Sequence, residues 1–73
     1  MILYLERYIF AVMNGNEVIA KLKAARWTLD RITGTHHILM KGGKRVPVPV
    51  HGHRDLGPGL IASIARQTGV KLK

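Results

Sequence analysis

The sequence predicts one α+β domain of order α-β-β-β-α, in which a three-stranded antiparallel sheet carries two helices on one face. Three observations predict this class. Asn14 and Glu17 form a capping-box-like pair ahead of an apolar helical pattern. A Gly42-Gly43 pair separates two strand-like segments, as in a hairpin, and Pro58 opens a second helical pattern. A chain of 73 residues has room for one domain with a thin core.

The first helix is predicted to begin at Asn14 and to run through Arg26. Apolar residues recur along it at the spacing that places them on one side of a helix. This apolar side comprises Val18, Ile19, Leu22 and Ala25.

Three strands are predicted to follow this helix. Alternation of apolar and polar residues predicts the first strand from Trp27 to Ile32, and Thr33-Gly34 supplies a turn. The second strand is predicted at His36–Met40 and the third at Arg45–His51, joined by the glycine pair.

The third predicted strand carries two prolines, which fix its place in the sheet. Val46, Val48 and Val50 share one face, because strand side chains alternate, and we expect them in the core. Pro47 and Pro49 lack backbone N–H groups along a single edge, and a central strand does not tolerate that loss. The third strand is therefore predicted at the sheet margin, paired with the second in a meander.

The second helix is predicted to begin at Pro58 and to end at Gly69, which suits a left-handed cap. Its predicted inward stripe comprises Leu60, Ile61, Ile64, Ala65 and Thr68. This order of elements is that of double-stranded-RNA-binding domains, although a shared fold does not by itself establish RNA as the ligand.

The composition is strongly basic, with 12 Lys+Arg against 4 Asp+Glu and a net charge of +8. Such a charge attracts polyanions, and nucleic acid is the favoured one. A solvated basic surface is the alternative interpretation, and an anionic membrane is disfavoured because no cationic amphipathic helix with exposed aromatics is evident. The chain has no cysteine, which excludes disulfides and thiolate zinc sites and fits a reducing cytoplasm.

His36 is the candidate for chemistry on RNA. A 2′-hydroxyl can attack the adjacent phosphorus without metal, provided that a base, cationic charge and an acid are at hand. Histidine suits the proton transfers, and Gly34 just before His36 lets a phosphate approach the backbone closely. On the residues alone, a solvated bystander is the competing interpretation.

The other histidines are weaker candidates. His37 must point to the opposite sheet face from His36, and the sequence does not decide which face meets the substrate. His51 and His53 can share a face, but two imidazoles without a nearby cysteine or suitably placed carboxylate make a poor metal site. We therefore predict no metal and no cofactor.

Several basic residues are candidates for phosphate contacts. Arg31 is the first choice for transition-state charge, because it lies near the Gly34 turn and a guanidinium binds a phosphoryl group bidentately. The other candidates near the hairpin and the following loop are Lys41, Lys44, Arg45 and Arg54. No residue is identified for the second proton transfer, and water can supply it.

The segments Met13–Glu17, Trp27–Arg31 and Gly34–Val70, in one unbroken register, resemble the HicA toxins of toxin–antitoxin pairs. That family has a Gly-Ser-His motif with an essential histidine. The motif corresponds here to Gly34, Thr35 and His36, with Thr keeping the hydroxyl of Ser. One departure is Arg26, which stands where the family usually has Gly.

The resemblance implies a metal-independent endoribonuclease that cleaves mRNA, with His36 as general acid or base and with Gly34 and Thr35 at the substrate. It also implies the fold predicted above. The implied partner is a HicB-like antitoxin that covers the active site, and any contact with DNA is indirect, through the antitoxin. Opposite charge on that partner would speed association. We expect a cytoplasmic protein.

Residues 1–12 are expected to be an N-terminal extension, and residues 13–73 the HicA-like domain. Ile2, Leu5, Ile9 and Val12 recur at helical spacing, although β-forming residues allow a strand equally well. The extension is too short to span a bilayer, and Glu6-Arg7 interrupts a signal-peptide core. Met13 opens the family-like region and is the expected natural start.

Two other functions remain open from the sequence. One is a non-catalytic RNA-binding module of the same fold, in which the positive charge suffices and His36 is incidental. The other is an interaction domain that binds another protein through its N-terminal apolar segment.

Overall fold

The structure, a computed structural model, describes residues 13–72. The predictions for residues 1–12 lie outside the described residues. The elements in chain order are β1 (Met13–Asn14), α1 (Gly15–Ala24), β2 (Thr28–Thr33), β3 (His36–Lys41), β4 (Lys44–Pro49), β5 (Asp55–Leu56) and α2 (Pro58–Thr68). The predicted α-β-β-β-α order with a three-stranded antiparallel sheet is confirmed.

Helix α1 begins with the predicted capping box. The Asn14 side chain accepts a hydrogen bond from the Glu17 backbone N–H at 2.9 Å, and the Glu17 carboxylate accepts one from the Asn14 N–H at 2.9 Å. Gly15 follows, where the backbone of α1 passes close to the end of β4. A Cβ at this position would collide with the Pro49 carbonyl oxygen and the Val50 side chain. The start of α1 is thereby fixed against the end of β4.

The turn after α1 contains Arg26 with a φ of 75°, in the left-handed region. The chain closes the helix there, with the Trp27 N–H donating to the Leu22 carbonyl at 2.9 Å. A non-glycine residue in this conformation costs about 1–2 kcal/mol. Arg26 therefore keeps the backbone geometry that glycine adopts more cheaply.

The sheet has the order β2-β3-β4, with β3 in the centre. His36 opposes Thr33 on β2 and Pro49 on β4, and the β2–β3 register shifts between Leu29 and Arg31 at a bulge. The predicted marginal position of β4 is confirmed. The Val50 N–H continues the hydrogen bonding between β3 and β4 beyond the strand ends, by donating to the Thr35 carbonyl at 2.8 Å.

A second, two-stranded sheet was not predicted. Met13 and Asn14 of β1 pair with Leu56 and Asp55 of β5, so the loop after β4 returns to the start of α1. Strands of two residues are too short to show a period in the sequence.

The core lies between the two helices and one face of the sheet, which we call the inner face. Leu39, Val46 and Val48 belong to this face, and α1 and α2 pack on it. The buried core residues are Met13, Val18, Ile19, Leu22, Trp27, Leu39, Val46, Val48, Leu56, Ile61, Ile64 and Leu72. The opposite, outer face carries His36, Ile38, Arg45 and Pro47, and no helix of the described residues covers it.

The predicted stripe of α2 is wrong at Leu60. Ile61 and Ile64 are buried, whereas Leu60 in the first helical turn is 39% exposed. Successive helix positions are about 100° apart, so once Ile61 and Ile64 point at the sheet, Leu60 lies at the border of the stripe. Gly69 ends the helix with a φ of 72°, as predicted.

The helices do not cover the inner face evenly. Leu29 and Ile32 on β2 share the inner face with the core, yet they are 40% and 54% exposed. Neither α1 nor α2, as described, is long and apolar enough to cross a membrane.

Candidate functional site: an open groove on the outer face

The outer face of the sheet holds a shallow groove of about 440 Å³. All three strands contribute to it. Its lining residues are Arg31, Thr33, His36, Ile38, Arg45 and Pro47.

His36 is placed in this groove by the sheet register. It is the first residue of β3 and shares the outer face with Ile38 and Met40. Its side chain is exposed, and an exposed imidazole can exchange protons with a ligand in the groove. The structure thus fixes the orientation of His36 that the sequence left open.

His37 points the other way. It lies on the inner face between Ile32 and Val48 and is half-buried. Its Nδ1 is buried and has no hydrogen-bond partner among residues 13–72. The two adjacent histidines therefore have different surroundings, one in solvent and one against the core.

The Asp30 carboxylate lies next to two of the groove arginines. Its Oδ2 accepts a hydrogen bond from the Arg45 Nε at 3.1 Å and lies 3.9 Å from the Arg31 Nε. Asp30 lies within the bulge of β2 that separates Leu29 from Arg31. Because a bulge interrupts side-chain alternation, Asp30 and Arg31 can both reach the outer face.

Sequence reasoning missed Asp30, Thr33, Ile38 and Pro47 as parts of the site. Alternation along one strand says which residues share a face, but the bulge and the register with β3 are set by long-range pairing. The one available signal was the adjacency of Asp30 to Arg31.

Gly34 and Thr35 form the turn that leads into His36. Gly34 has a φ of 60°, and apart from its two chain neighbours no atom of residues 13–72 lies within 4 Å of the position a Cβ would take, so this part of the chain leaves the backbone open there. The Thr35 carbonyl accepts the hydrogen bond from Val50 noted above, which ties the turn to the end of β4. His36 thus begins at an anchored turn that leaves room for a ligand beside it.

The remaining predicted binding residues lie elsewhere. Lys41 donates from its Nζ to the Ala25 carbonyl at 2.9 Å, which stabilises the C-terminal end of α1. Lys44 lies at the start of β4 beside a second groove, described below, and Arg54 lies in the loop before β5. The groove at His36 therefore unites Arg31, His36 and Arg45 but not Lys41, Lys44 or Arg54.

His51 and His53 are exposed in the loop between β4 and β5. Across residues 13–72, no three or more His, Cys, Asp or Glu side chains gather closely enough to bind a metal ion.

The arrangement is suited to chemistry on a phosphodiester. His36 offers a proton-transfer group, and Arg31 and Arg45 offer guanidinium donors whose charge can stabilise a phosphoryl anion. Asp30 engages the Nε atoms, which leaves the Nη groups available to a ligand.

A family model described as the HicA toxin of bacterial toxin-antitoxin systems matches residues 15–70, from the start of α1 to just beyond α2. A search of curated proteins gives no match. The matched segment includes α1, α2, the whole β2-β3-β4 sheet and every residue that lines the outer-face groove. Because the match spans well over half of the chain, the protein belongs to the HicA family of toxins from bacterial toxin–antitoxin systems.

Proposed function

We propose that this toxin is a metal-independent endoribonuclease that cleaves mRNA at the outer-face groove. The observation that carries the proposal is the placement of His36, exposed in an open groove beside Arg31 and Arg45. The net charge of +8 supports a polyanionic substrate. Membership of a toxin family supports an activity that harms the cell that makes it.

The reaction is an intramolecular transesterification, in which the phosphoryl group moves from the 5′-oxygen of one nucleotide to the 2′-oxygen of its neighbour. The 2′-hydroxyl oxygen forms a bond to the adjacent phosphorus as the bond to the 5′-oxygen breaks, which leaves a 2′,3′-cyclic phosphate and a 5′-hydroxyl. The base takes the proton of the 2′-hydroxyl, and the leaving 5′-oxygen gains a proton from an acid. His36 performs one of these transfers, and water performs the other.

The two arginines stabilise the charge that builds on the phosphorane. Guanidinium groups bind phosphoryl oxygens bidentately, and donors fixed in advance are worth more than donors that must reorganise. The Asp30 carboxylate accepts a hydrogen bond from the Arg45 Nε at 3.1 Å, so the Arg45 head is positioned at the groove before RNA binds, and the same carboxylate lies 3.9 Å from the Arg31 Nε. Gly34 and Thr35 complete the substrate contacts at the adjacent turn.

Membership of this family makes an antitoxin the protein partner of the chain. We propose that this antitoxin is of the HicB type, that it inhibits by covering the groove, and that the toxin contacts DNA through it alone. An acidic antitoxin surface would complement the basic chain and speed association. The cytoplasm, where mRNA is translated, is the proposed compartment.

The test compares wild type with His36→Ala on end-labelled single-stranded RNA in EDTA. His51→Ala is the matched control, because it removes an exposed imidazole outside the groove. Far-UV circular dichroism confirms that all three proteins are folded. Cleavage by wild type and His51→Ala but not by His36→Ala is the expected result.

If all three proteins cleave equally, His36 is not the proton-transfer group. If folded wild type binds the RNA but leaves it intact, the chain is a non-catalytic RNA-binding module. Binding would then rest on the positive charge alone.

A further inference from the structure

The junction of β4 and α2 holds a second groove of about 380 Å³. It is lined by Lys44, Arg45, Val46, Arg66 and Gln67. Arg66 lies in the last turn of α2, and Lys44 begins β4 just after the hairpin. Arg66 and Gln67 line this groove and not the groove at His36.

The two grooves share one residue, Arg45. Side chains of β4 alternate, so Arg45 points to the outer face, while the neighbouring Lys44 and Val46 point to the inner side. The second groove therefore lies across the edge of β4 from the first, and Arg45 stands between them. Since β4 is a marginal strand, no further strand of residues 13–72 separates the two grooves.

The charged side chains that line the two grooves are basic, with no Asp or Glu among the lining residues. Arg31 and Arg45 lie in the first groove, and Lys44 and Arg66 lie in the second. Asp30 is the carboxylate paired with the first two, whereas within the described chain neither Lys44 nor Arg66 forms an ion pair. A phosphate at the second groove would therefore meet cations that no described carboxylate neutralises.

The edge of β4 also favours a flexible ligand over a stiff one. A path that bends from the outer face around a strand edge suits a single-stranded backbone, because an RNA duplex is a rigid helix read by its shape. Pro47 and Pro49 present no N–H groups at this edge, so no protein strand can form a regular ladder there. The edge stays available to side-chain and phosphate contacts.

We propose that Lys44 and Arg66, with Gln67 beside them, form a second phosphate-binding site, which holds the part of a single-stranded RNA that extends from the His36 groove over the edge of β4. This inference rests on the proposed function for the identity of the ligand. The site adds length-dependent affinity and positions the chain, while the groove at His36 acts on one phosphodiester.

The experiment measures RNA binding in the His36→Ala background, so that the RNA stays intact. Fluorescence anisotropy with labelled single-stranded RNAs of about 4 and about 12 nucleotides is recorded over a range of salt concentrations. Arg66→Gln is compared with Lys23→Gln as the matched control. Lys23 is an exposed, charged residue in the last turn of α1, and it lines neither groove. Arg66→Lys keeps the charge.

For the longer RNA, Arg66→Gln should weaken binding by about threefold to tenfold and reduce the salt slope by about 0.7, the value for one lost phosphate contact on a single strand. Lys23→Gln should bind like the background protein, and Arg66→Lys should restore most of the affinity. The loss should be smaller for the shorter RNA, which does not reach both grooves.

Equal losses for Arg66→Gln and Lys23→Gln, or equal losses on both RNA lengths, would overturn the proposal in favour of a diffuse charge effect. The proposed function fails separately, since it requires cleavage by protein with His36 intact. A protein that binds as described but never cleaves would keep the second site and lose the nuclease.

Discussion

The two faces of the β2-β3-β4 sheet carry adjacent residues of the same kind into opposite environments. On the outer face, His36 is exposed in a groove with two arginines. On the inner face, His37 lies against Val48 with a buried nitrogen that has no described partner. The alternation of one strand thus separates the groups available for chemistry from those that hold the fold. Damage to one face should leave the function of the other intact.

The largest expected effect is on the outer face. His36→Ala should lower the rate of RNA cleavage by about 10²–10⁴-fold, the range for loss of one acid–base group. Its melting temperature should stay within about 4 °C of wild type, because the side chain is exposed. Single-turnover kinetics measure the cleavage rate, and thermal unfolding measures the melting temperature. A large drop in melting temperature would show that the faces are not independent.

The next effect belongs to the inner face. Leu39 is fully buried at the centre of the sheet, so Leu39→Ala should lower the free energy of unfolding by about 2–5 kcal/mol. Ile38→Ala, one residue away on the outer face and half-buried, should lose less than half as much. Urea titrations measure both variants. Equal losses would mean that the outer face is as tightly packed as the inner one.

Asp30→Asn tests whether RNA cleavage at the outer face requires arginine side chains that are positioned before RNA binds. Loss of the carboxylate charge weakens the hydrogen bond that positions Arg45 and removes the anion beside Arg31, so kcat should fall by up to about tenfold. KM for RNA should not rise, because the variant is more positive by one charge. Steady-state cleavage separates the two constants. A higher KM with unchanged kcat would assign Asp30 to substrate binding rather than to positioning.

The smallest effect is expected at His37. His37→Leu removes a buried nitrogen without a described partner and should raise the free energy of unfolding by about 1 kcal/mol. Cleavage should be unchanged, because His37 faces away from the groove. Chemical denaturation and the RNA assay are run in parallel. A drop in stability would show that the imidazole of His37 stabilises the folded state.

Most helices and strands could be predicted from the sequence, because the signals that specify them are local. A capping box, a glycine pair and a proline pair each act within a few residues. As predicted, the capping box begins α1, the glycine pair joins β3 to β4, and the proline pair lies in the marginal strand β4. The composition of the groove was not accessible in the same way. Which face His36 occupies, and that Asp30 reaches both arginines, depend on pairing with a distant strand and on a bulge.

Leu60 and the pairing of β1 with β5 illustrate the same limit in packing. The apolar spacing of α2 admits Leu60 to the buried stripe, but the helix is turned so that Ile61 and Ile64 point at the sheet, which leaves Leu60 39% exposed. The contact of Met13 with Leu56 joins residues more than forty positions apart, through strands too short to show alternation. Both features are products of tertiary assembly.

The two margins of the sheet share a property that bears on how the protein behaves at high concentration. At β4, two prolines remove the donors that another strand would need, and at β2, the bulge around Asp30 breaks the regular spacing of the edge. Both features disfavour the stacked growth of strands into fibres. In a small toxin with a thin core and exposed Leu29 and Ile32, it is the backbone of these two margins, rather than the side chains, that works against edge-to-edge association.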